Sequence, residues 1–348
     1  MIQEALRKLI QRESLSSEEA TAVANEIMEG EATPAQIGAF LVALRMKGET
    51  VEEAAAFAKA LRARVVSVHP KRKPLLDTCG TGGSAVKTFN VSTTSAFVLA
   101  GAGVAVAKHG NRAMSGVCGS ADVLEALGVR LDLSAERLAD CIDEVGIGFL
   151  FAQRHHPAMK QVAVPRREVG IRTLFNLLGP LTNPAGATLQ VMGVYDSALC
   201  PLAIGTLREL GAERALVLHG EVGMVEVSTV GKTRYAELRD GNITEGALTP
   251  EDFGLFSPLP NLEDLAPALT PAENANLLRD VLRGKQATPQ DTARRNIVAV
   301  NAAVSLVVAG LAEDWRDGYQ QALQGIDSGK ALDSLERLVE FTQSAGEP

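Results

Sequence analysis

The sequence is poor in aromatic residues and carries no excess of basic charge. Phenylalanine, tyrosine and tryptophan together make up 4% of its 348 residues, which leaves little surface on which single-stranded bases could stack. Lysine and arginine number 34 against 42 aspartates and glutamates, so the formal net charge is −8 at pH 7. Because a nucleic-acid binder needs a positive field to hold a phosphate backbone, nucleic acid is not expected as a partner.

Long apolar runs and paired cysteines are also missing. The richest apolar stretch, residues 297–311, is interrupted by Asn301 and falls short of the roughly 20 residues that cross a bilayer. A membrane role is therefore not expected. The 4 cysteines form no CxxC pair, and the first residues are polar and amphipathic, unlike a signal peptide. These features predict a protein of the reducing cytoplasm.

The first part of the chain has the pattern of a small helical domain. Ser16 and Glu19 have the spacing of a capping box, and the apolar residues that follow recur every three or four positions. Two similar helix starts follow before residue 51. Residues 1–70 are therefore predicted to form a helical domain, with a hinge at residues 64–74, where a basic segment flanked by prolines breaks the pattern.

The apolar stripes of these helices exceed what so small a bundle needs to bury alone. Such a surplus predicts a symmetric dimer, with an ordinary intrachain core as the alternative. The residues that motivate this prediction are Leu6, Ile10, Phe40, Leu41 and Leu44.

From residue 71 to residue 348, short apolar runs alternate with helical segments. This alternation predicts an α/β domain with a mostly parallel central sheet. Ligands of such sheets bind beyond the carboxyl ends of the strands, where the following loops gather. Helical spacing returns in the tail, and these last helices are expected to cover one face of the sheet.

The first loop at a strand end is rich in glycine. It reads DTCGTGGS from Asp77 to Ser84, and Asn90, Ser92 and Thr93 follow with side chains able to reach phosphate or ribose oxygens. Glycines let a backbone approach a ligand closely, and the amides before a helix bind anions. Walker A and dinucleotide motifs do not match. The loop is interpreted as a phosphate site, with a tight strand-to-helix turn as the alternative.

Two further clusters are hard to explain by packing. After the second predicted strand, KHGNR from Lys108 to Arg112 gathers two cations, an imidazole and a carboxamide; a solvated loop is the alternative. Adjacent His155 and His156 suggest a metal, but no third ligand accompanies them at a suitable spacing. Neighbouring side chains on a helix also point about 100° apart. A metal is therefore not expected at the histidines.

In order and spacing, three long motifs resemble those of anthranilate phosphoribosyltransferases. They are GTGG with TFNVST, KHGNRA with GSADVLEALG, and the run from Arg166 to Pro184 that contains GIRT and NLLGPLTNP. The resemblance implies transfer of the phosphoribosyl group of phosphoribosyl pyrophosphate to the amine of anthranilate in tryptophan biosynthesis. It also implies Mg²⁺, a homodimer formed through the helical domain, and residues 165–185 packed back onto that domain.

The resemblance assigns site residues by matching the motifs position by position. Those that would bind phosphoribosyl pyrophosphate are Gly80, Gly83, Ser84, Thr88, Asn90, Val91, Ser92, Thr93, Lys108, Ser115, Gly116 and Ser120. Those that would contact anthranilate are Gly80, His109, Asn111 and Arg166. Arg166 would bind the carboxylate, which suits a forked guanidinium. Ser92 and Glu226 would bind Mg²⁺, and no side chain is assigned as a general base.

One departure from the family pattern affects the metal site. Where the family has an Asp–Glu pair, this chain has Val225 and Glu226, and a valine side chain cannot bind a cation. The sequence allows an active enzyme with one firm and one weak Mg²⁺ site, or a chain that has lost or changed its activity. Ser84 and residues 116–118 also differ, with smaller effects expected on phosphate contacts.

Three rival functions remain at this point. Pyrimidine nucleoside phosphorylases have a similar architecture, but Lys-His-Ser typically precedes their Thr-Gly-Gly, where Asp-Thr-Cys-Gly stands here. A non-catalytic relative that binds nucleic acid would need a basic surface. The same transfer to a different aromatic amino acid is not distinguished by the sequence.

Overall fold

The computed structural model describes residues 1–113 and 116–344, so the expectation for Ser115 lies outside the described residues. The chain begins with four helices: α1 (Ile2–Ile10), α2 (Ser17–Met28), α3 (Pro34–Lys47) and α4 (Val51–Arg62). The last three begin with capping boxes, as at Ser16 and Glu19, where each side chain accepts the other residue's backbone N–H. These bonds satisfy amides that a helix start leaves free, and the predicted helical character is confirmed.

The apolar stripes of the four helices face one another. Phe40, Leu41 and Leu44 are at most 1% exposed within the single chain, so they belong to the intrachain core. The expectation that these three side chains form a dimer surface is wrong, because their own bundle already covers them. Ile10 is 72% exposed, and Leu6 is partly buried.

A later segment shares the core of the helical bundle. The ring of Phe175 meets that of Phe57 edge-on, with centroids 6.0 Å apart. Leu178 and Leu181 lie in the same buried cluster. The chain therefore returns from the α/β part to pack on the first four helices.

The α/β part is built on seven strands. They are β1 (Leu76–Asp77), β2 (Val106–Gly110), β3 (Ile147–Phe151), β4 (Leu189–Gly193), β5 (Arg214–Gly220), β6 (Thr233–Arg239) and β7 (Asn242–Leu248). Their order in the sheet is β3-β2-β1-β4-β5-β6-β7. The first five pair in parallel and the last two form an antiparallel hairpin, so the expected mostly parallel sheet is confirmed. Apolar runs do not predict the hairpin, because both its strands are largely polar.

Helices cover both faces of the sheet. They are α5 (Val91–Gly101), α6 (Ser120–Ala126), α7 (Ala135–Val145), α8 (Ala152–His155), α9 (Lys160–Val169), α10 (Phe175–Leu178), α11 (Cys200–Glu209), α12 (Pro271–Leu282), α13 (Pro289–Ala309), α14 (Trp315–Asp327) and α15 (Lys330–Ser344). α13 contacts β4 and β5, and α15 contacts β3, so the tail covers one face as expected. α11 contacts both α4 and β5. None of the described helices has the length and apolar character to span a bilayer.

Candidate active site

The loops after the parallel strands meet at the carboxyl edge of the sheet. The loop after β1, residues 78–84, is called the glycine loop below. At Gly80 an added Cβ would lie 2.7 Å from the carbonyl oxygen of Gly193 at the end of β4. Gly82 and Gly83 have φ values of +63° and +74°, which residues with side chains rarely adopt. The loop therefore requires glycine both for close packing and for backbone shape.

The N-terminus of α5 follows the glycine loop and is uncapped. Its N-cap residue, Asn90, makes no side-chain capping bond. The Asn90 Oδ1 is enclosed without a hydrogen-bond partner, while Nδ2 donates to Cys118 O at 3.2 Å. In the described structure, the backbone amides of Ser92 and Thr93 have no acceptor. Free amides and the positive end of the helix dipole make this terminus a site for an anion.

Lys108 brings a buried positive charge to the same place. Its Nζ donates to Thr78 Oγ1 at 3.0 Å and to Ser92 Oγ at 3.4 Å. No carboxylate of the described residues lies within ion-pair distance of it, and burial lowers the pKa of Lys108. Lys108 lies inside β2, not in the loop after it as expected from the sequence, because the strand runs through Gly110.

Asp77 holds the strands of this edge together. Its Oδ1 accepts from the backbone N–H of His109 at 3.1 Å and of Cys79 at 3.0 Å, and its Oδ2 accepts from Asn183 Nδ2 at 2.8 Å. Burial raises the pKa of Asp77 to about 6, so the carboxylate is mostly ionised at neutral pH. Asp77, Cys79 and His109 offer metal-ligand atoms within 4.8 Å of one another, but both carboxylate oxygens already accept hydrogen bonds.

His109 points to the opposite face of the sheet from Lys108, because successive side chains of a strand alternate. Its Nδ1 lies 3.1 Å from Gly179 O, and its Nε2 lies 3.1 Å from His156 Nε2. Burial lowers the pKa of His109 to about 3, and the neighbouring His156 adds to the effect. The sequence points to His109, but it gives no signal for the contact with His156.

Arg166 lies on α9 and is partly buried. Its guanidinium carbon is 5.7 Å from the centre of the Phe175 ring, and burial lowers its pKa. Along the described chain, no carboxylate forms an ion pair with Arg166. A half-buried guanidinium without a counterion is a suitable partner for a carboxylate ligand. Asn111 is exposed and its Oδ1 accepts from the backbone of Arg112; the structure shows no contact between Asn111 and Arg166.

Glu226 approaches the site from the loop after β5. Thr88 Oγ1 donates to its Oε1 at 3.2 Å, whereas Oε2 is enclosed and has no partner. Burial raises the pKa of Glu226 to about 7. The neighbouring Val225 fits against the end of β4, where a Cβ on Gly193 would lie only 1.7 Å from Val225 O. The segment with Val225 and Glu226 is therefore packed against the end of β4, which also contacts Gly80 of the glycine loop.

Arg172 belongs to the GIRT motif, but the sequence assigned it no role. It follows α9 and donates from Nη2 to Gly83 O at 2.6 Å. Its guanidinium carbon lies 4.1 Å from the centre of the Tyr195 ring, just after β4. This hydrogen bond connects the segment after α9, the helix that carries Arg166, to the glycine loop.

In several other predicted site residues, some groups that could contact a ligand are already engaged within the protein. The Ser84 hydroxyl contacts the carbonyls of Val86 and Gly223. Val91 has its side chain in the core, so only its backbone is available to a ligand. Ser120 Oγ donates to Asn111 O at 3.2 Å, and Gly116 is exposed with φ +124°.

Comparison with known proteins matches two family models to the two parts of the chain. Residues 3–65 match the helical bundle domain of a glycosyl transferase family, and residues 72–332 match the a/b domain of a glycosyl transferase family. Anthranilate phosphoribosyltransferase of Desulfosudis oleivorans is 51% identical over 346 residues, covering 99% of this chain and 100% of the relative. The enzyme of Anaeromyxobacter dehalogenans strain 2CP-C is 53% identical over 342 residues, covering 98% of this chain and 99% of the relative.

Solved structures of anthranilate phosphoribosyltransferases superpose on nearly the whole chain. Anthranilate phosphoribosyltransferase of Thermus thermophilus has a TM-score of 0.90 at 44% identity, covering 98% of this chain and 99% of that one. The Saccharomyces cerevisiae enzyme in complex with PRPP and Mg has a TM-score of 0.89 at 29% identity, covering 99% and 98%. Its complex with 4-fluoroanthranilate has a TM-score of 0.87 at 28% identity, with the same coverage.

Proposed function

This chain belongs to the anthranilate phosphoribosyltransferase family, and on that premise we propose which of its residues carry the reaction. The enzyme transfers the phosphoribosyl group of phosphoribosyl pyrophosphate, the donor, to the amine of anthranilate, the acceptor, and releases pyrophosphate. One observation supports the donor site: the uncapped N-terminus of α5 and the buried ammonium of Lys108 meet at Ser92. Both are positive and neither has an anionic partner in the described part of the chain, so a pyrophosphate would compensate both.

The other donor contacts are assigned around this point. Ser84 and Val91 would contribute backbone groups, since the hydroxyl of the first is engaged and the side chain of the second is in the core. The remaining proposed donor residues are Gly80, Gly83, Thr88, Asn90, Thr93, Gly116 and Ser120. Ser115 completes the set by its motif position alone.

The acceptor is placed on the side of the sheet that His109 faces. Arg166 would bind its carboxylate, because this guanidinium is partly buried and lacks an ion pair in the described structure. Gly80, His109 and Asn111 would line the same end of the site. Lys108 and His109 are consecutive residues of β2, so their side chains lie on opposite faces of the sheet. On this assignment Lys108 would contact the donor and His109 the acceptor.

Glu226 suits a Mg²⁺ ligand, because one of its carboxylate oxygens is enclosed without a hydrogen-bond partner. Mg²⁺ would be held by Glu226, the Ser92 hydroxyl and the donor's pyrophosphate oxygens. When bound, the ion supplies positive charge to the pyrophosphate as it leaves. Val225 offers no side-chain oxygen, so we propose one firm and one weak Mg²⁺ site.

The chemistry requires charge stabilisation and positioning. Breaking the bond between the anomeric carbon and pyrophosphate leaves positive charge on the sugar and negative charge on the leaving group. Lys108 and the α5 amides would stabilise the negative charge, while Arg166 and Asn111 would direct the amine at the anomeric carbon. The amine loses its proton after attack, and water is a sufficient acceptor.

The reaction is tested by mixing the purified protein with Mg²⁺, phosphoribosyl pyrophosphate and anthranilate and following the loss of anthranilate fluorescence. Arg166→Ala should lower kcat/KM for anthranilate roughly ten- to a hundredfold, because a charged hydrogen bond is lost. Arg167→Ala is the matched control, since Arg167 is exposed on the same helix. An unchanged KM for anthranilate with a changed KM for the donor would indicate that Arg166 binds the phosphates of the donor instead of anthranilate. Turnover of another aromatic amino acid, but not anthranilate, would indicate altered specificity.

Two further properties are proposed. The protein is placed in the cytoplasm, because its cysteines at positions 79, 118, 141 and 200 are all free thiols and reducing compartments keep thiols in that state. It is also proposed to act as a homodimer formed through the helical domain, with exposed Ile10 and Met46 in the contact.

A further inference from the structure

His156 is buried beside the acceptor end of the site, and none of the roles described above involves it. Its ring centroid is 5.0 Å from that of His109, and the two Nε2 atoms are 3.1 Å apart. The neighbouring His155 turns elsewhere: its Nδ1 lies 2.7 Å from Val66 O. The adjacent histidines therefore have separate partners, and only His156 contacts the site.

The hydrogen-bond partners determine where the protons of the pair lie. Gly179 O can only accept, so His109 Nδ1, 3.1 Å away, must carry a proton. Burial lowers the pKa of His109 to about 3 and that of His156 to about 4, so both rings are neutral at pH 7. A neutral imidazole has one N–H, which leaves His109 Nε2 as an acceptor. His156 must then donate from its own Nε2.

We propose that His156 is a positioning residue, which donates its Nε2 proton to His109 Nε2 and so, together with Gly179, fixes the ring orientation of His109 at the acceptor end. This inference rests on the proposed placement of anthranilate beside His109 and Arg166. With both nitrogens of His109 engaged inside the protein, its ring presents an uncharged carbon edge to the acceptor. Arg166 then remains the cation that recognises the carboxylate.

A side chain that donates a proton to a ring nitrogen has a spectroscopic signature that simple space-filling lacks. The protein labelled with ¹⁵N-histidine should show His109 protonated at Nδ1, read from the ¹⁵N chemical shifts of its two ring nitrogens. His156→Phe keeps a ring of similar size but cannot donate. His109 Nε2 should then lose its hydrogen bond, and its ¹⁵N resonance should move towards the value of an unbonded, unprotonated ring nitrogen. His156→Gln places an amide N–H near the position of the lost Nε2 and should bring this resonance back towards that of the parent.

Kinetics give the second measurement. His156→Phe should lower kcat/KM for anthranilate roughly three- to tenfold, the effect of one neutral hydrogen bond, with the donor KM within about twofold. His156→Gln should restore most of the loss. His155→Gln is the matched control, because it replaces the adjacent imidazole without touching His109, and it should change neither the tautomer nor the acceptor KM.

Two results would overturn the proposal. One is a parent protein in which His109 is protonated at Nε2. The other is a His156→Phe variant in which the ¹⁵N shift of His109 Nε2 and the acceptor KM are both unchanged, because Gly179 alone would then fix the ring. If the Phe variant does not fold, the ¹⁵N shift of His109 Nε2 in the parent still shows whether this nitrogen accepts a hydrogen bond. A parent protein that does not turn over anthranilate would contradict the proposed function and leave the tautomer result intact.

Discussion

At the scale of single residues, the two substrates are separated by the alternation of one strand. Lys108 and His109 are neighbours in β2, yet the first reaches Ser92 at the start of α5 and the second reaches Gly179 on the opposite side. Both are buried, so each must find a polar partner or lose its charge. His109 is neutral and held by hydrogen bonds. In the described structure, Lys108 Nζ donates hydrogen bonds to the hydroxyls of Thr78 and Ser92.

The glycines of the loop after β1 should differ in what a methyl group does to them. Gly80→Ala should raise the donor KM more than Gly82→Ala, because its Cβ would meet Gly193 O at 2.7 Å and displace the loop. Gly82→Ala meets no atom within 4 Å but has a φ of +63°; the strain of about 1–2 kcal/mol corresponds to a donor KM increase of roughly five- to thirtyfold. Steady-state kinetics measure both.

Gly211→Ala provides the control for backbone strain, since Gly211 has a φ of +82° with nothing within 4 Å and precedes β5. It should leave the donor KM unchanged. If Gly80→Ala and Gly82→Ala both have a normal donor KM, the glycine loop does not bind the phosphates of the donor.

Val225 is the residue on which the Mg²⁺ requirement should depend. Val225→Asp would restore a carboxylate beside Glu226 and should shift the activity curve to lower free Mg²⁺, because hard cations bind through oxygen ligands. Calorimetric titration of the protein and donor with Mg²⁺ gives a readout independent of turnover. Identical curves for parent and variant would show that position 225 is remote from the metal, and no turnover by either would favour a chain that has lost its activity.

The buried His156 should make stability sensitive to acid. Its pKa is about 4 in the folded chain against 6.5 unfolded, so the unfolded state binds more protons between these values. Its contribution is fully present above pH 6.5 and is lost as the pH falls towards 4. Relative to His156→Gln, the parent should lose up to about 1.4 kcal/mol of unfolding free energy per pH unit in this window. Urea unfolding at pH 7, 6 and 5, at one protein concentration, measures it. A constant difference would mean that folding does not change the pKa of His156.

At the scale of elements, the turn between α3 and α4 is held by a buried ion pair. Glu53 is fully buried, and its Oε2 lies 2.6 Å from Lys47 Nζ. The same carboxylate accepts from the backbone N–H of Thr50 and of Leu15, in the connection between α1 and α2. One side chain therefore caps a helix and joins two connections of the bundle.

Glu53→Gln should destabilise the protein by about 3–5 kcal/mol, because Lys47 is left buried without its counterion. Urea unfolding measures the change. Glu52→Gln is the control: this neighbour is exposed, and its amide oxygen can still accept from Ser17, so the change should stay within about 0.5 kcal/mol. A Glu53 variant as stable as the control would show that the pair contributes nothing to the bundle.

At the scale of the whole molecule, few large apolar side chains of the bundle remain uncovered. Ile10 and Met46 are 72% and 71% exposed, at the C-terminal ends of two helices that contact each other. A symmetric dimer would cover these side chains.

The protein should therefore sediment as a dimer at micromolar concentration. Ile10→Lys combined with Met46→Lys should shift it to monomer, because charge would enter the contact from both partners. Leu311→Lys, at a residue 48% exposed after α13, should leave the dimer intact. A parent that sediments as a monomer would contradict the dimer.

The local parts of this structure follow from local physics. Capping boxes and apolar periodicity are properties of a few adjacent residues, so the sequence predicts α2 to α4 closely. The glycine motif likewise marks the loop after β1. Where local signals conflict with burial, prediction fails: Lys108 and His109 read as a polar loop, but the sheet buries them inside β2. The hairpin β6–β7 and α14 also carry local signals, the Asp240-Gly241 turn and the capping Asp314, which apolar periodicity alone does not detect.

Sequence patterns are enough to predict the helical start, the α/β part, the family and the residue types of the site. Which of these residues contact one another follows only from the folded chain. Thr78, His156 and Arg172 lie in quoted motifs, but only the structure shows their contacts with Lys108, His109 and Gly83. Phe40 and its neighbours proved to be core rather than surface. The physical reason is that hydrogen bonds in the folded chain join residues far apart in sequence, as with Thr88 and Glu226, which are 138 positions apart, and no local pattern carries that information.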